Sequence, residues 1–305
     1  METKLNYKRT FLIGLAFLSI CSFWQMYDNI IPLILQNTYH LGETMTGAVM
    51  ALDNVLAIFL LPVFGTLSDK VHTKLGRRMP FIVSGTILAV IFMMLLPMID
   101  NAEKARWGTV ESFSNQVIFL AVLFFTLVSM GLYRSPAVAL MPDVTPNHLR
   151  SRANAVINLM GAVGGVYALI MIKVLVGKGE TPDYLPLFAS IAAVMAIAVG
   201  ILVMTIRENK LREEVEKAEA AIAETIEEKA MAEGVEAVGE IEAVGDTGAV
   251  KASDGKKQTG KTEGTKGMPK EVKRSMYFML ASIFLWFTAY NAVTTAFSRY
   301  TKVVW

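Results

Sequence analysis

Cysteine is all but missing from these 305 residues: Cys21 stands alone. No disulfide can therefore close within the chain, and the thiol falls inside an apolar run, where it serves as packing. Histidine is nearly as scarce. His40, His72 and His148 lie in or near separate loops on both sides of the apolar runs, which argues against a shared metal site. There is no phosphate-cradling P-loop and no G-x-S-x-G elbow, and Cys21 has no histidine near it in sequence, so no enzyme signature is present. Surplus charge is missing too. Lys and Arg number 29 against 27 Asp and Glu, a formal +2 that is too even to argue for nucleic acid as a partner.

What the chain has instead is long apolar runs. Apolar residues make up 53% of it and mean hydropathy is +0.45, whereas a soluble domain is about 45–50% apolar with those residues dispersed. Seven apolar segments run at roughly 10–35, 45–67, 80–99, 115–140, 153–176, 184–206 and 275–297. A helix of about 20 residues spans a hydrocarbon core of about 30 Å, and runs this continuous exclude barrel strands, which alternate. The reading is an all-α, multi-pass membrane protein whose first partner is the bilayer. The first run is too long for a signal-peptide core and lacks a small-x-small end, so it is read as a retained helix.

Loop charge gives an orientation. Lys4, Lys8, Arg9, Lys70, Lys74, Arg77, Arg78, Arg150 and Arg152 fall on one side, against Lys104, Arg106 and Lys178 on the other. Lys and Arg mark the cytoplasmic side, so the N-terminus is expected in the cytoplasm of a cell membrane, inner or plasma. Six spans then return residues 207–274 to the same side. From Arg207 to about Ala232 that segment is rich in Glu, Ala and Lys, with an (i, i+4) pair Glu213–Lys217, and reads as a helix continuing into solvent. Beyond Gly234 it turns low-complexity, with Val235-Glu-Ala-Val-Gly echoed by Ile241-Glu-Ala-Val-Gly, and disorder is expected.

Between the second and third runs stands Gly65-Thr-Leu-Ser-Asp-Lys-Val-His-Thr-Lys-Leu-Gly-Arg-Arg-Met-Pro-Phe81. This resembles the loop between the second and third helices of the major facilitator superfamily, G-x-L-x-D-x-x-G-R-R, with four more residues between Asp69 and Gly76. The longer form is similar to the glycoside–pentoside–hexuronide:cation symporters and the sucrose transporters. A second stretch, Arg134-Ser-Pro through Asp143 to Arg150-Ser-Arg-Ala-Asn154, is similar to the fourth-to-fifth helix region of the sucrose branch. That branch places its arginine two residues after the proline, where this chain has Val138 and carries Arg134 earlier. The resemblance implies a major facilitator fold. Residues 1–206 would be the N-terminal six-helix half, 207–274 a cytoplasmic linker, and 275–305 the seventh helix and the start of a second half that is missing, so the chain is expected to be a fragment.

Ionisable groups inside hydrocarbon are costly and usually face a partner or a water-filled path. Asp28, Asp53 (with Asn54) and Arg134 are therefore the candidate substrate and proton pathway. Asp28 is placed in the outer part of the first helix, Asp53 about nine residues into the second, and Arg134 in the inner part of the fourth. A carboxylate accepts two sugar hydroxyls, and a carboxyl partly withdrawn from water exchanges a proton nearer neutrality. Depth along the helices places Asp28 and Asp53 nearer each other than either is to Arg134. Trp24, Tyr27 and Tyr133, with Trp286 and Tyr290, are candidates to stack on a sugar ring or, equally, interfacial and core aromatics. Gln25, Asn29, Asn154, Asn158 and Asn291 are hydroxyl partners or interhelical hydrogen-bond formers. Gly65, Asp69, Gly76, Arg77 and Arg78 are assigned to a gating loop, with Asp143, Arg150 and Arg152 as a neighbouring charge cluster. Gly161 and Gly165 form a G-x-x-x-G expected to admit another helix closely.

The resemblance implies alternating-access symport of a di- or oligosaccharide glycoside. Around Pro62 the paired acids of sodium-coupled members are missing, so the proton is the expected coupling ion rather than sodium, with no other cofactor. A non-transporting sensor or assembly subunit that recruits a cytoplasmic partner through its linker is the alternative.

Overall fold

The computed structural model describes residues 5–105, 113–177, 182–232 and helical positions scattered between 274 and 289. The low-complexity repeat beyond Gly234, Tyr290 and Asn291 lie outside the described residues. The chain divides into two compact units, residues 1–224 and 225–305. In the second, the described positions are helical, and Tyr277, Phe278, Met279, Leu285 and Trp286 are each more than three-fifths exposed.

The first unit is built from helices, and no sheet forms among the described residues; a lone bridge pairs Thr73 with Gly76. Its order is α1 (Tyr7–Asn37), α2 (Glu43–Met50), α3 (Leu52–Lys70), α4 (Met79–Lys104), α5 (Phe113–Asp143), a 3-10 turn (Asn147–Leu149), α6 (Arg150–Leu175), α7 (Leu185–Thr205) and the start of α8 (Glu208–Ala232). Six stretches are long and apolar enough to cross a bilayer: α1, α2 with α3, α4, α5, the turn with α6, and α7. These are the first six of the seven apolar runs.

Local chemistry sets the helix starts. Asn6 caps α1, its Oδ1 accepting the Arg9 N–H at 3.2 Å. Pro80 and Pro186 sit in the first turns of α4 and α7, where a missing N–H costs nothing. The second span is two helical pieces meeting at Ala51, which puts Asp53 in the first turn of α3 rather than deep within one helix.

Helix α1 is the hub. It packs on α6 and α7, α4 packs on α5 and α7, and α3 leans on α5. The core is Ile, Leu, Met and Phe drawn from α1, α4, α5 and α7, with Ile13, Phe23, Ile30, Met93, Phe119, Phe188 and Met195 all but fully buried. Conversely, Val55, Ile58, Phe59 and Val63 on α3 and Val163, Val166 and Ile170 on α6 stand outward. In a helix of mean hydropathy 2.0 such residues face hydrocarbon rather than water.

Small residues bring α1 and α6 together. A methyl group at Gly161 would stand 2.9 Å from Cys21 Sγ, and one at Gly164 would fall on the Leu18 carbonyl oxygen. At Gly165 it would meet only Gln25 Oε1, at an ordinary 3.7 Å. The tight pair is thus Gly161 with Gly164, one residue off the spacing of the sequence motif. Ser22 fastens the same contact, donating to Leu18 O at 2.8 Å and Gly164 O at 2.9 Å.

Chain reversals gather at two ends. At one, Leu5 packs with Leu149 and Ala153, and the α3–α4 turn meets the start of α8. At the other, Thr38 donates to Asp100 at 2.7 Å and Asn101 to Asp183 at 2.7 Å. This alternation is what six antiparallel spans require.

Candidate functional site

Two groupings of charge stand apart in the bundle. The first lies in the spanning region. Trp24 of α1, Asp53 of α3 and Arg134 of α5 line a cleft whose remaining wall is Leu56, Ala57, Leu60, Leu61, Leu127 and Gly131. The Arg134 guanidinium lies 5.5 Å from the centre of the Trp24 ring, a cation–π distance. Asp53 is near enough to feel both Asp28 and Arg134, and its Oδ1 accepts from Asn54 Nδ2 at 2.9 Å. Among the described residues no salt bridge joins Asp53 to Arg134. The cavity is about 20 Å³, room for about one water and no sugar.

The other pathway candidates divide. Asp28 is exposed on α1, one turn beyond Trp24. Tyr27 is buried, stacked on Phe23 at 6.0 Å and edge-on to Trp24 at 5.4 Å. Among the described residues neither the Tyr27 hydroxyl nor the Trp24 indole N–H has a hydrogen-bond partner. Tyr133 is withheld from the cleft: it is fully buried, its hydroxyl 2.6 Å from Ser19 Oγ and donating to Ala16 O at 3.0 Å, and it ties α5 to α1. Gln25 reaches toward α6, and Asn29 donates to the Gln25 carbonyl at 2.7 Å. Asn154 and Asn158 are exposed on α6, away from the cleft lining. Trp24, Asp53 and Arg134 are therefore brought together, with Asp28 beside them. Sequence depth had set Arg134 further along than Asp53, and its neighbour Ser135 does bond the Leu61 carbonyl, two turns beyond Asp53 on α3; the two side chains nonetheless line one cleft.

The second grouping holds the end of the bundle that carries the α3–α4 turn. Arg78 is the centre. It donates to Asp143 Oδ2 from Nε at 2.9 Å, to Gly65 O at 3.3 Å and to Ser68 Oγ, and pairs with Asp69 at 2.6 Å. Arg77 reaches the same Asp143 oxygen at 2.9 Å and lies 3.8 Å from Asp69. Gly65 admits Ser135, whose Oγ would be 3.3 Å from an added methyl and donates to Leu61 O at 2.9 Å. Gly76 has φ +126°, a backbone setting that a side chain resists. Arg150 does not join Asp143. It donates to the carbonyls of Pro142 at 2.9 Å and Thr145 at 3.3 Å, bracing the α5–α6 turn, while Arg152 is exposed.

Sequence reasoning missed the acid that completes this end. Glu208, 1% exposed, accepts the backbone N–H groups of Arg77, Arg78 and Met79 at 2.9–3.0 Å, so the first residue of α8 caps α4. A signal was present: α4 opens Arg-Arg-Met-Pro with no Ser, Thr, Asp or Asn to cap it. Its orphan amides had to find an acceptor elsewhere in the chain. Asp100 was also missed. It is fully buried at the opposite end, paired with Lys104 at 2.6 Å, and its (i, i+4) spacing was readable. Among the described residues no group of three His, Cys, Asp or Glu is placed to hold a metal ion.

A bundle with six helices long and apolar enough to cross a bilayer, ionisable groups lining one cleft between them and an ion-paired turn at one end defines a multi-pass membrane protein. The family model of the Major Facilitator Superfamily matches residues 13–304, and the chain belongs to that family. It is similar to Sucrose transport protein SUT3 of Oryza sativa subsp. japonica, 26% identical over 137 residues, 42% of this chain and 27% of the relative. Sucrose transport protein SUC4 of Arabidopsis thaliana is 34% identical over 116 residues, 36% of this chain and 22% of the relative. The uncharacterized symporter sll1374 of Synechocystis is 24% identical over 144 residues, 46% of this chain and 25% of the relative. The chain spans about a quarter of the length of the curated relatives it matches.

Proposed function

We propose that this chain belongs to a secondary active transporter that carries a sugar, a di- or oligosaccharide glycoside, together with protons by alternating access. The observation that carries the reading is the placement of Asp53 and Arg134 on one narrow cleft within the spanning helices, with Asp28 in electrostatic range of Asp53. Relatives named as sucrose transporters and as a symporter supply the substrate class and the coupling.

In this reading Asp53 carries the coupled proton and Arg134 is its switching partner. With Asp53 charged, the guanidinium is drawn to it; with Asp53 protonated, that attraction is gone and Arg134 rests on Trp24. A free Arg134 then exchanges its fork for sugar hydroxyls. Residues around Pro62 offer no second carboxylate with which to cage sodium, so the proton is the proposed ion. The Arg77–Arg78–Asp143 cluster is the latch of the cytoplasmic side. Residues 1–206 act as one half, 207–274 as the link and 275–305 as the start of the other half, with the N-terminus in the cytoplasm of a cell membrane.

The test is uptake of labelled sucrose or maltose by vesicles carrying the complete gene product, with and without an imposed proton gradient. Accumulation should follow the gradient, and Asp53→Asn should abolish uphill accumulation while sparing sugar exchange. Vesicles that move no sugar, or Asp28→Asn and Asp53→Asn variants that behave as the parent, would sink the reading.

A further inference from the structure

We propose that the recess between the start of α1 and the α7–α8 junction binds a phosphate-bearing anion, supplied by the headgroup of an acidic membrane phospholipid. The recess is the larger of the two cavities described, about 300 Å³. Its polar wall holds four cations, Lys8 and Arg9 from α1 and Arg207 and Lys210 from the other side, against one carboxylate, Glu214. Arg9 pairs with Glu214 at 3.1 Å. Among the described residues no carboxylate pairs with Lys8, Arg207 or Lys210, so three cations converge on the space uncompensated.

Position identifies the ligand class. The recess straddles the point at which α7, a spanning helix, ends at Thr205. Its floor is apolar, formed by Leu12, Ile206 and Leu211. Tyr7, Phe11 and Met204, next in sequence to the lining residues Lys8, Leu12 and Thr205, are 57%, 43% and 86% exposed. An apolar floor and collar under a ring of cations, at the depth where hydrocarbon gives way to water, matches a lipid with acyl chains below and a phosphodiester above. A soluble phosphate ester shares the headgroup chemistry but has no use for the collar. A zwitterionic headgroup would place its ammonium among the cations and has only Glu214 to meet it.

The experiment is native mass spectrometry of the full chain, purified in detergent and offered phosphatidylglycerol, phosphatidylethanolamine or glycerol 3-phosphate. Phosphatidylglycerol should be retained at least about tenfold over phosphatidylethanolamine. Each cation near a charged lipid is worth about five-fold in binding, so Arg207→Gln with Lys210→Gln should lower retention about 25-fold, and Glu214→Gln should raise it. Circular dichroism checks that the double variant folds; if it does not, Lys8→Gln alone should lower retention about five-fold. Equal retention of the two lipids, or variants that hold phosphatidylglycerol as the parent does, would overturn the site. Saturable binding of glycerol 3-phosphate without lipid preference would overturn the lipid source and reassign the recess to a soluble phosphate ester.

Discussion

Glu208 takes the backbone N–H of Arg78 on both its carboxylate oxygens, at 3.0 and 2.9 Å. One side chain from the segment after the sixth span thus closes the start of the third. The carboxylate also meets the positive end of the α4 dipole, and Gly76 is the residue that lets it approach. The joint fixes the α3–α4 turn to the root of α8 and presents Arg77 and Arg78 to Asp143.

Glu208→Gln keeps the shape and removes the charge. It should cost about 1–2 kcal/mol, the difference between charged and neutral acceptors at a buried helix start. Thermal unfolding in detergent reads this. Glu208→Ala should cost more, because three amides lose their acceptor, and a protease should cut faster within 71–77. Unchanged unfolding in both variants would show that the cap carries no stability.

Arg78→Lys should fail as a conservative change. A lysine has the charge but not the planar fork that meets Asp143, Asp69, Ser68 and the Gly65 carbonyl at once. A loss of about 2 kcal/mol is expected, one charged hydrogen bond's worth. Combining it with Asp143→Asn should cost less than the two separately, since both act on one network. Strict additivity would separate the two residues.

Gly164→Ala and Gly165→Ala should differ sharply although the residues are adjacent. At Gly164 the methyl meets the Leu18 backbone, which cannot yield without moving α1, and a loss of about 3 kcal/mol or more is expected. At Gly165 the change should stay within about 0.5 kcal/mol. Equal melting of the two variants would contradict the α1–α6 packing.

Tyr184 supplies a pH dependence. Burial, then the charge of Asp100, pushes its phenol from 10.0 up to about 12. The unfolded chain releases that proton near pH 10 while the folded one holds it, so folding stability is full below pH 10 and declines between about pH 10 and 12. In Tyr184→Phe this part of the decline should vanish. Urea midpoints measured across that range, with parent and variant declining alike, would exclude it.

The first six spans and the basic turn were legible in the sequence because each is local. A run of about 20 apolar residues cannot be stable in water and needs no partner to declare itself. Asp53 and Arg134 were legible for the same reason, as charges where charge is costly. Their grouping was not. Distance along a helix gives depth but not which faces of α1, α3 and α5 turn toward one another, so the shared cleft of Trp24, Asp53 and Arg134 emerged only once the helices were packed. Tyr133 looked like Trp24 in sequence, an aromatic beside a charged residue, yet it faces Ser19 and Ala16 of α1 and closes the core. Gly165 fitted a motif that Gly164 did not, and the contact fell on Gly164 because α1 crosses α6 at that residue.

Taken alone, the sequence determined that this chain crosses a membrane several times, which stretches do so, and that a few ionisable groups lie among them. Hydrophobicity is a property of segments, and solvent exclusion acts on each segment before any helix meets another. Tertiary structure decided which groups share a space: Trp24 with Asp53 and Arg134, Arg78 with Asp143, and Glu208 with an α4 start some 130 residues earlier. Those pairings come from how helices lie across one another, and no single helix carries that information.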